Sequence, residues 1–352
     1  LSEDFADLLP ELHELYALYN VLVGRRQRRG AIDFDTVETK IVFGEERKIE
    51  AIVPTVRNDA HKIIEECMLC ANVATAEFLS RHKIPALYRI HEGPSVQKLE
   101  NVRSFLSEQG LQLMGGESPD PSDYQTLISD IKERPDFSVL QTVLLRSMSQ
   151  AVYGPEEKGH FGLAYEHYAH FTSPIRRYPD LLVHRAIKSV IFSNKAASDV
   201  KRPEGVDLAV HAKRYVYPYD LAKMLVLGEH CSMAERRADE ATRDVMNWLK
   251  CEYLQQHLGE AFEGIISAVT GFGFFVELAG LYAEGLVHVS TLNSDYYQFD
   301  NAKHRLLGER TGMSYCLGDR VMVEVSNINL DDRKVDLLLV SSEPRSRAKK
   351  KK

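Results

Sequence analysis

The hydrophobic period of this chain changes near Gly259, and that change constrains its fold more than any other feature. Beyond it, AFEGIISAVT, GFGFFVELAG, GLVHVS, DRVMVEVSNI and KVDLLLV follow one another as short strand-like runs. Five such runs within about 80 residues, separated by glycine and aspartate turns, suit a small closed barrel of the OB type. Before Gly259 the apolar spacing is helical, over roughly 58–81, 97–109, 122–133, 137–152 and 217–257, and over 1–30, which ends in the basic GRRQRRG. Between the first two helical stretches, AIDFDTVETKIVFGEERKIEAIVPTV alternates and turns like strands. Gly110 and the cluster GGESPDPSD punctuate helices as C-cap and loop chemistry would. The expectation is an α+β chain: a mixed region over 1–258, a five-stranded barrel over 259–341, and a tail over 342–352.

Composition narrows the class. The chain has 352 residues, 44% hydrophobic and 27% charged, as soluble globular proteins do. No apolar run has membrane-spanning length and no signal peptide is present, so a cytoplasmic protein without a membrane partner is expected. A leading leucine and four closing lysines suggest a piece of a longer protein. The net charge of −7 hides a segregation: RSRAKKKK at 345–352 carries six of the 44 basic residues, leaving 38 against 51 acidic ones. A basic tail on an acidic body can hold polyanions by counterion release, and it can equally be a solubilising end. Five scattered cysteines point to a reducing compartment, and CMLC at 67–70, inside a helical pattern with no second pair nearby, is expected to pack in the core.

The stretch YAHFTSPIRRYPDLLVHRAIK, residues 168–188, sets Arg176 and Arg177 between two prolines. Pro174 biases Ser173 toward an extended conformation, and Pro179 fits the first turn of an amphipathic helix. The arginines then stand at a helix N-terminus, where unpaired N–H groups and guanidinium forks favour an anion such as phosphate. Structural ion pairs with the chain's own carboxylates are the other role open to them.

In the barrel, TGFGFFVEL holds Phe272, Phe274 and Phe275. Glycines flank Phe272, which would let a nucleic-acid strand approach the backbone closely. Exposed aromatics beside cations are how OB barrels stack single-stranded bases. Strand alternation forbids Phe274 and Phe275 from both facing outward, so part of this set belongs to the core.

These residues carry a resemblance. TGFGFFVELAGLYAEGLVHVSTL is similar to the S1-type RNA-binding domain, which implies that Phe272, Phe275 and His288 face RNA, that Arg333 and Lys334 contact phosphate, and that Phe274 is buried. The first 258 residues resemble the C-terminal part of the RNB catalytic domain of the ribonuclease II and ribonuclease R family. The match rests on RRGAIDF, RNDAHKIIEECMLCANVATAEF, PALYRIHEGPS, LLRSMSQAVY, HFGLAYEHYAHFTSPIRRYPDLLVHRAIK and CSMAERRADEATRDVMNWL. Catalytic domain, S1-type domain and basic tail, in that order, favour the ribonuclease R branch.

The resemblance implies processive 3′-to-5′ exonucleolytic hydrolysis of RNA to nucleoside 5′-monophosphates with Mg2+. Its implied partners are single-stranded RNA 3′ ends, with the ribosome or RNA-decay factors beyond them, and the implied state is a monomer. It makes Arg176 the arginine on the phosphate next to the scissile bond and Arg177 a support of the phosphate path. Phe34 stacks on terminal bases and Glu66 touches the terminal nucleotide; the alternatives are a strand core residue for Phe34 and a solvated helix face for Glu66.

One departure matters. The family's metal site is a cluster of aspartates spaced as Asp, five residues, Asp, one residue, Asp, Asp, and this sequence has none. Two-metal hydrolysis needs close carboxylates, and Asp33 and Asp35 do not make such a cluster, so no metal ligands are assigned. The family's cold-shock-type domains are also absent, and Thr242 stands where some relatives carry an RNA-contacting acid. The expectation is an incomplete catalytic domain with a complete barrel, binding RNA without hydrolysing it. The alternative is a non-catalytic S1-type RNA-binding adaptor.

Overall fold

The computed structural model describes residues 5–34, 37–45, 48–134, 136–193, 200–201, 204–205, 215–292, 295–300 and 305–342. The basic run 345–352 and Asp35 lie outside these residues. Helix α1 (Leu9–Arg29) is followed by an antiparallel hairpin, β1 (Thr39–Phe43) and β2 (Ile49–Pro54), in the segment expected to alternate. Helix α2 (Asp59–Arg81) starts where the side chain of Asn58 accepts the N–H of His61, a capping box. Its inward face carries Glu66, Leu69, Asn72, Ala76 and Leu79. Cys70 falls on the opposite, exposed face and Cys67 is half-buried, so CMLC does not pack as a core pair. Helical spacing explains the correction: positions 69, 72, 76 and 79 share a face, Glu66 stands at its edge, and 67 and 70 fall beyond it.

Helices α3 (Val96–Glu108), α4 (Pro121–Ile131) and α5 (Phe137–Ser147) enclose one core around Phe105, Leu106, Tyr124, Ile131, Leu140 and Leu144. The expected helix over 137–152 stops at Ser147, and Val152–Gly154 instead forms β4, antiparallel to β3 (Tyr88–Ile90). Helix α6 is Tyr178–Ile191 and helix α7 is Leu221–Leu254. At 34 residues α7 is about 50 Å long. Its first half packs Met224 and Cys231 with Leu87, Tyr153 and Leu182, and its end puts Cys251 and Leu254 into the barrel core. Gly228 makes that fit possible, since a Cβ there would lie 2.7 Å from the Tyr153 carbonyl oxygen.

The barrel is closed in the order β11–β12–β7–β6–β5, with β5 (Ala261–Thr270) pairing back onto β11 (Arg320–Asn329). Its other strands are β6 (Gly273–Leu278), β7 (Glu284–His288) and β12 (Lys334–Ser342). These are the five runs seen in the sequence. Ile266, Phe274, Val276, Val287, Val323 and Leu337 fill the interior, each at most 1% exposed. Closure removes the unpaired edges that a five-stranded sheet would otherwise present. A second sheet of three short strands, β8 (Tyr297–Asp300), β9 (Arg305–Gly308) and β10 (Ser314–Cys316), sits between β7 and β11 in sequence and was not foreseen. Just past it, Leu317 is buried in the α3–α5 core, which ties the barrel to the helical region.

Candidate nucleic-acid interface

The segment ahead of α6 is anchored before the arginines are reached. Buried Asn72 of α2 accepts the Phe171 N–H at 2.9 Å and donates to the Tyr168 hydroxyl at 3.0 Å. The Phe171 ring stacks on His184 of α6, centroids 4.3 Å apart, while His184 Nε2 donates to the Phe171 carbonyl. Ser173 then closes the turn: its carbonyl accepts the N–H of Arg176 at 3.3 Å and of Arg177 at 3.0 Å. Arg177 is the N-cap of α6, with Pro179 in the first helical turn as the sequence requires.

From this turn the two arginines diverge. Arg177 points inward, and its Nη2 donates at 2.8 Å to Oδ1 of Asp180, a carboxylate with no solvent exposure. Arg176 is exposed, beside the fully exposed Ile175. Of the two roles left open by the sequence, the ion pair is seen for Arg177, while Arg176 is free to face a ligand. The signal for Asp180 was present in the sequence as an acid three positions after Arg177 in a first helical turn.

A half-buried polar cluster supports this turn from within. Arg89 of β3 donates to Glu235 of α7 at 2.6 Å and lies over the Tyr153 ring, and the Tyr153 hydroxyl is 2.8 Å from His170 Nδ1. Burial first, then the nearby Arg177 and Arg89 charges, push the His170 pKa down to about 3. His160 is likewise held down to about 3 by burial and by His91. His91 is also lowered by burial; its Nδ1 accepts the Gly162 N–H and its Nε2 reaches the Ser149 carbonyl, the bonding of a neutral Nε2–H ring. These histidines stay uncharged at neutral pH, leaving the local charge to the arginines and their carboxylate partners Glu235 and Asp180.

Neither Phe34 nor Glu66 takes the structural alternative given for it. Phe34 precedes β1 and packs half-buried on the α3–α5 core, so it is no strand residue. Glu66 is 5% exposed rather than solvated, and accepts from Arg26 of α1 at 2.9 Å. Arg26 also holds Asp33 at 3.1 Å, so the basic end of α1 neutralises acids of this chain.

The second surface is a groove of about 640 Å³ where the barrel meets α7. Phe272, 49% exposed, and half-buried Phe275 form its aromatic wall, edge to face with centroids 6.2 Å apart. Phe274 turns the other way, is fully buried, and stacks on Tyr315. Arg333 and Lys334, at the β11–β12 turn, line the groove too; Arg333 lies 3.7 Å from Asp244 and Lys334 3.5 Å from Asp332. His288 is exposed, opposite Gly273 in the β6–β7 register, with Nδ1 2.7 Å from the Ser290 hydroxyl. It thus stands near Phe272 but outside the groove lining.

The glycine after Phe272 has a different purpose from the one expected. A Cβ on Gly273, at φ +155°, would meet the Val287 carbonyl at 2.3 Å, so the residue is needed for strand packing. Asn247 and Lys250 of α7 complete the wall and were missed, although Asn247, Lys250, Cys251 and Leu254 share the i, i+3, i+4, i+7 face that meets the barrel. The Lys250 ammonium donates to the Tyr282 carbonyl, and burial lowers its pKa against the pull of Glu277 and Glu284. Those two acids make the groove mixed in charge.

Neither surface offers a magnesium site. Among the described residues no three His, Cys, Asp or Glu side chains come together as metal ligands, and Asp33 and Asp180 are engaged by arginines. Thr242 on α7 is exposed and bonds back to the Ala238 carbonyl.

An α+β region joined by one long helix to a five-stranded barrel with an aromatic, cation-flanked groove defines a class, and the comparisons agree: residues 2–193 match the RNB domain and residues 255–339 the S1 RNA binding domain. The chain belongs to the RNB-domain family of the ribonuclease II and ribonuclease R type. It is 52% identical over 343 residues to Ribonuclease R of Escherichia coli, covering 97% of this chain and 41% of that protein. To Ribonuclease R of Vibrio parahaemolyticus it is 53% identical over 352 residues, covering 100% of this chain and 41% of the relative. A Mycoplasma genitalium RNase R in complex with ribose methylated single-stranded RNA superposes with a TM-score of 0.84 at 27% identity, covering 95% of this chain and 50% of that one. The chain therefore spans about 41% of the length of these curated relatives.

Proposed function

We propose that this chain serves 3′-to-5′ exonucleolytic degradation of single-stranded RNA to nucleoside 5′-monophosphates as the RNA-gripping portion, not as the portion that hydrolyses. The observation that carries the proposal is the exposed Arg176 on a turn tied down at Ser173, Arg177 and Asp180. A guanidinium carried on that anchored turn can bind a backbone phosphate and stabilise charge gathering on its oxygens. Phe272 and Phe275 would stack bases in the barrel groove, His288 would stack or donate at its edge, and Arg333 and Lys334 would neutralise phosphates. Phe34 and Glu66 remain proposed contacts of the terminal nucleotides, with Glu66 oriented by Arg26. Magnesium is the cofactor the family implies, and the described residues do not fit it, so no chemical step is assigned to them.

On this reading the activity belongs in the cytoplasm, with the protein a monomer acting at RNA 3′ ends. That no ligand set comes together among the described residues also favours a second reading, a non-catalytic S1-type adaptor that binds RNA for another enzyme.

A 5′-labelled single-stranded RNA incubated with the chain, with magnesium or with chelator, tests the proposal on native and denaturing gels. Salt-sensitive retention without cleavage is expected. A magnesium-dependent ladder shrinking from the 3′ end would overturn the non-hydrolytic assignment, and no retention at any salt would overturn the gripping role.

A further inference from the structure

The two arginines of SPIRR stand side by side in sequence but differ in what surrounds them, and that difference assigns a role to a third residue. Asp180 is wholly buried, and a single oxygen, Oδ1, receives both the Ser173 N–H at 2.7 Å and Arg177 Nη2 at 2.8 Å. It therefore joins the entry of the turn to its exit. A carboxylate taken out of water is tolerated only with a compensating charge, which Arg177 supplies. Withdrawing Arg177 to bind a phosphate would leave that charge uncovered. The bond is one-armed: Arg177 Nε and Asp180 Oδ2 are buried without hydrogen-bond partners, so no parallel second bond maintains the geometry. With Arg177 neutralised, Arg176 is the arginine of the turn left to meet an anion.

We propose that Asp180 is a positioning residue: through Arg177 and the Ser173 amide it fixes the 173–177 turn so that Arg176 is presented to an RNA phosphate. This rests on the reading of Arg176 as the phosphate contact.

The test is a double-mutant cycle on the full chain, with dissociation constants for a labelled single-stranded RNA measured across a salt series for wild type, R176A, D180N and R176A/D180N. In the wild-type background R176A is expected to weaken binding on the order of tenfold, as loss of a charge-assisted bond does, and to reduce the log–log salt slope by about 0.7. D180N should give a loss of the same order, and adding R176A to it should cost less than about twofold, with little further change in slope. A mere fold defect would not move the salt slope in this way. If R176A costs as much in the D180N background as in wild type, Asp180 does not position it and the proposal falls. If R176A has no effect in wild type, the phosphate reading falls instead. Should D180N fail to fold, the cycle is run in D180N/R177Q, which removes both buried charges together, and the same coupling decides the matter.

Discussion

The turn before α6 and the groove beside the barrel are two ways of holding side chains ready for a ligand. In the turn, orientation comes from polar bonds: Asn72, His184 and Asp180 each fix one point of a short irregular segment. In the groove, orientation comes from closure: once β5 pairs with β11, strand alternation sends Phe274 inward and Phe275 outward, while Phe272 stands in the turn just ahead of β6. A polar turn can be spoiled by removing one charge, which leaves that charge's buried partner uncovered. A closed barrel fails through its core, and its outer residues can be exchanged freely.

The largest effect should come from Phe274→Ala. Emptying a fully buried ring site stacked on Tyr315 should cost about 3–5 kcal/mol. Thermal unfolding should then show a barrel transition shifted downward, accompanied by loss of RNA retention. Were stability to fall while the groove kept full affinity, closure would not be what orients its aromatics.

Acid should act on the turn before the barrel. His160 and His170 have pKa values near 3 in the folded chain and about 6.5 unfolded, so the unfolded state binds protons first as pH falls. Their neutral burial is fully tolerated above about pH 6.5. Stability should decline from there toward pH 3 and level off below, with a slope approaching about 1.4 kcal/mol per pH unit for each histidine. Hydrogen exchange at residues 168–177 against the barrel strands, followed from pH 7 to pH 4, should show the turn losing protection first. Equal loss in both regions would erase the contrast.

Phe272→Ala should weaken single-stranded RNA binding by about 1–3 kcal/mol, the worth of one stacked base, and leave the unfolding temperature unchanged because the ring is half exposed. A shift in melting of several degrees would mean that the ring is part of the packing and that the groove is less exchangeable than argued.

The same contrast governs how much could be read from the sequence. The barrel was legible strand by strand because each run is long enough to show its period and ends at a turn residue; β8, β9 and β10, at three or four residues, are too short to show one. Most helices were placed within a few residues, but the stop at Ser147 was missed, because Val152–Gly154 leaves the helical pattern only by pairing with Tyr88–Ile90, some 60 residues earlier. Arg176 and Arg177 were found by their place between two prolines. Their division of labour was not, since it depends on a buried partner whose burial only the tertiary structure sets. Glu66 and Cys70 teach the same lesson on one helix, where a charged residue is inside and a thiol outside.

The smallest effect, and the sharpest on the groove, concerns Lys334. Its ammonium is exposed and 3.5 Å from Asp332, an ion pair worth little to folding, so Lys334→Ala should leave the melting temperature unaltered. If Lys334 neutralises one phosphate, the log–log salt dependence of binding should lose about 0.7, affinity should fall most at low salt, and the curves should converge as salt rises. The neighbouring Glu277 and Glu284 make this a demanding case, because a strand lying in the groove must pass their charge as well. An unchanged slope would mean that bases stack on Phe272 and Phe275 while the phosphates point to solvent. The groove would then read rings alone, and the charge-based grip of the molecule would belong to the Arg176 turn.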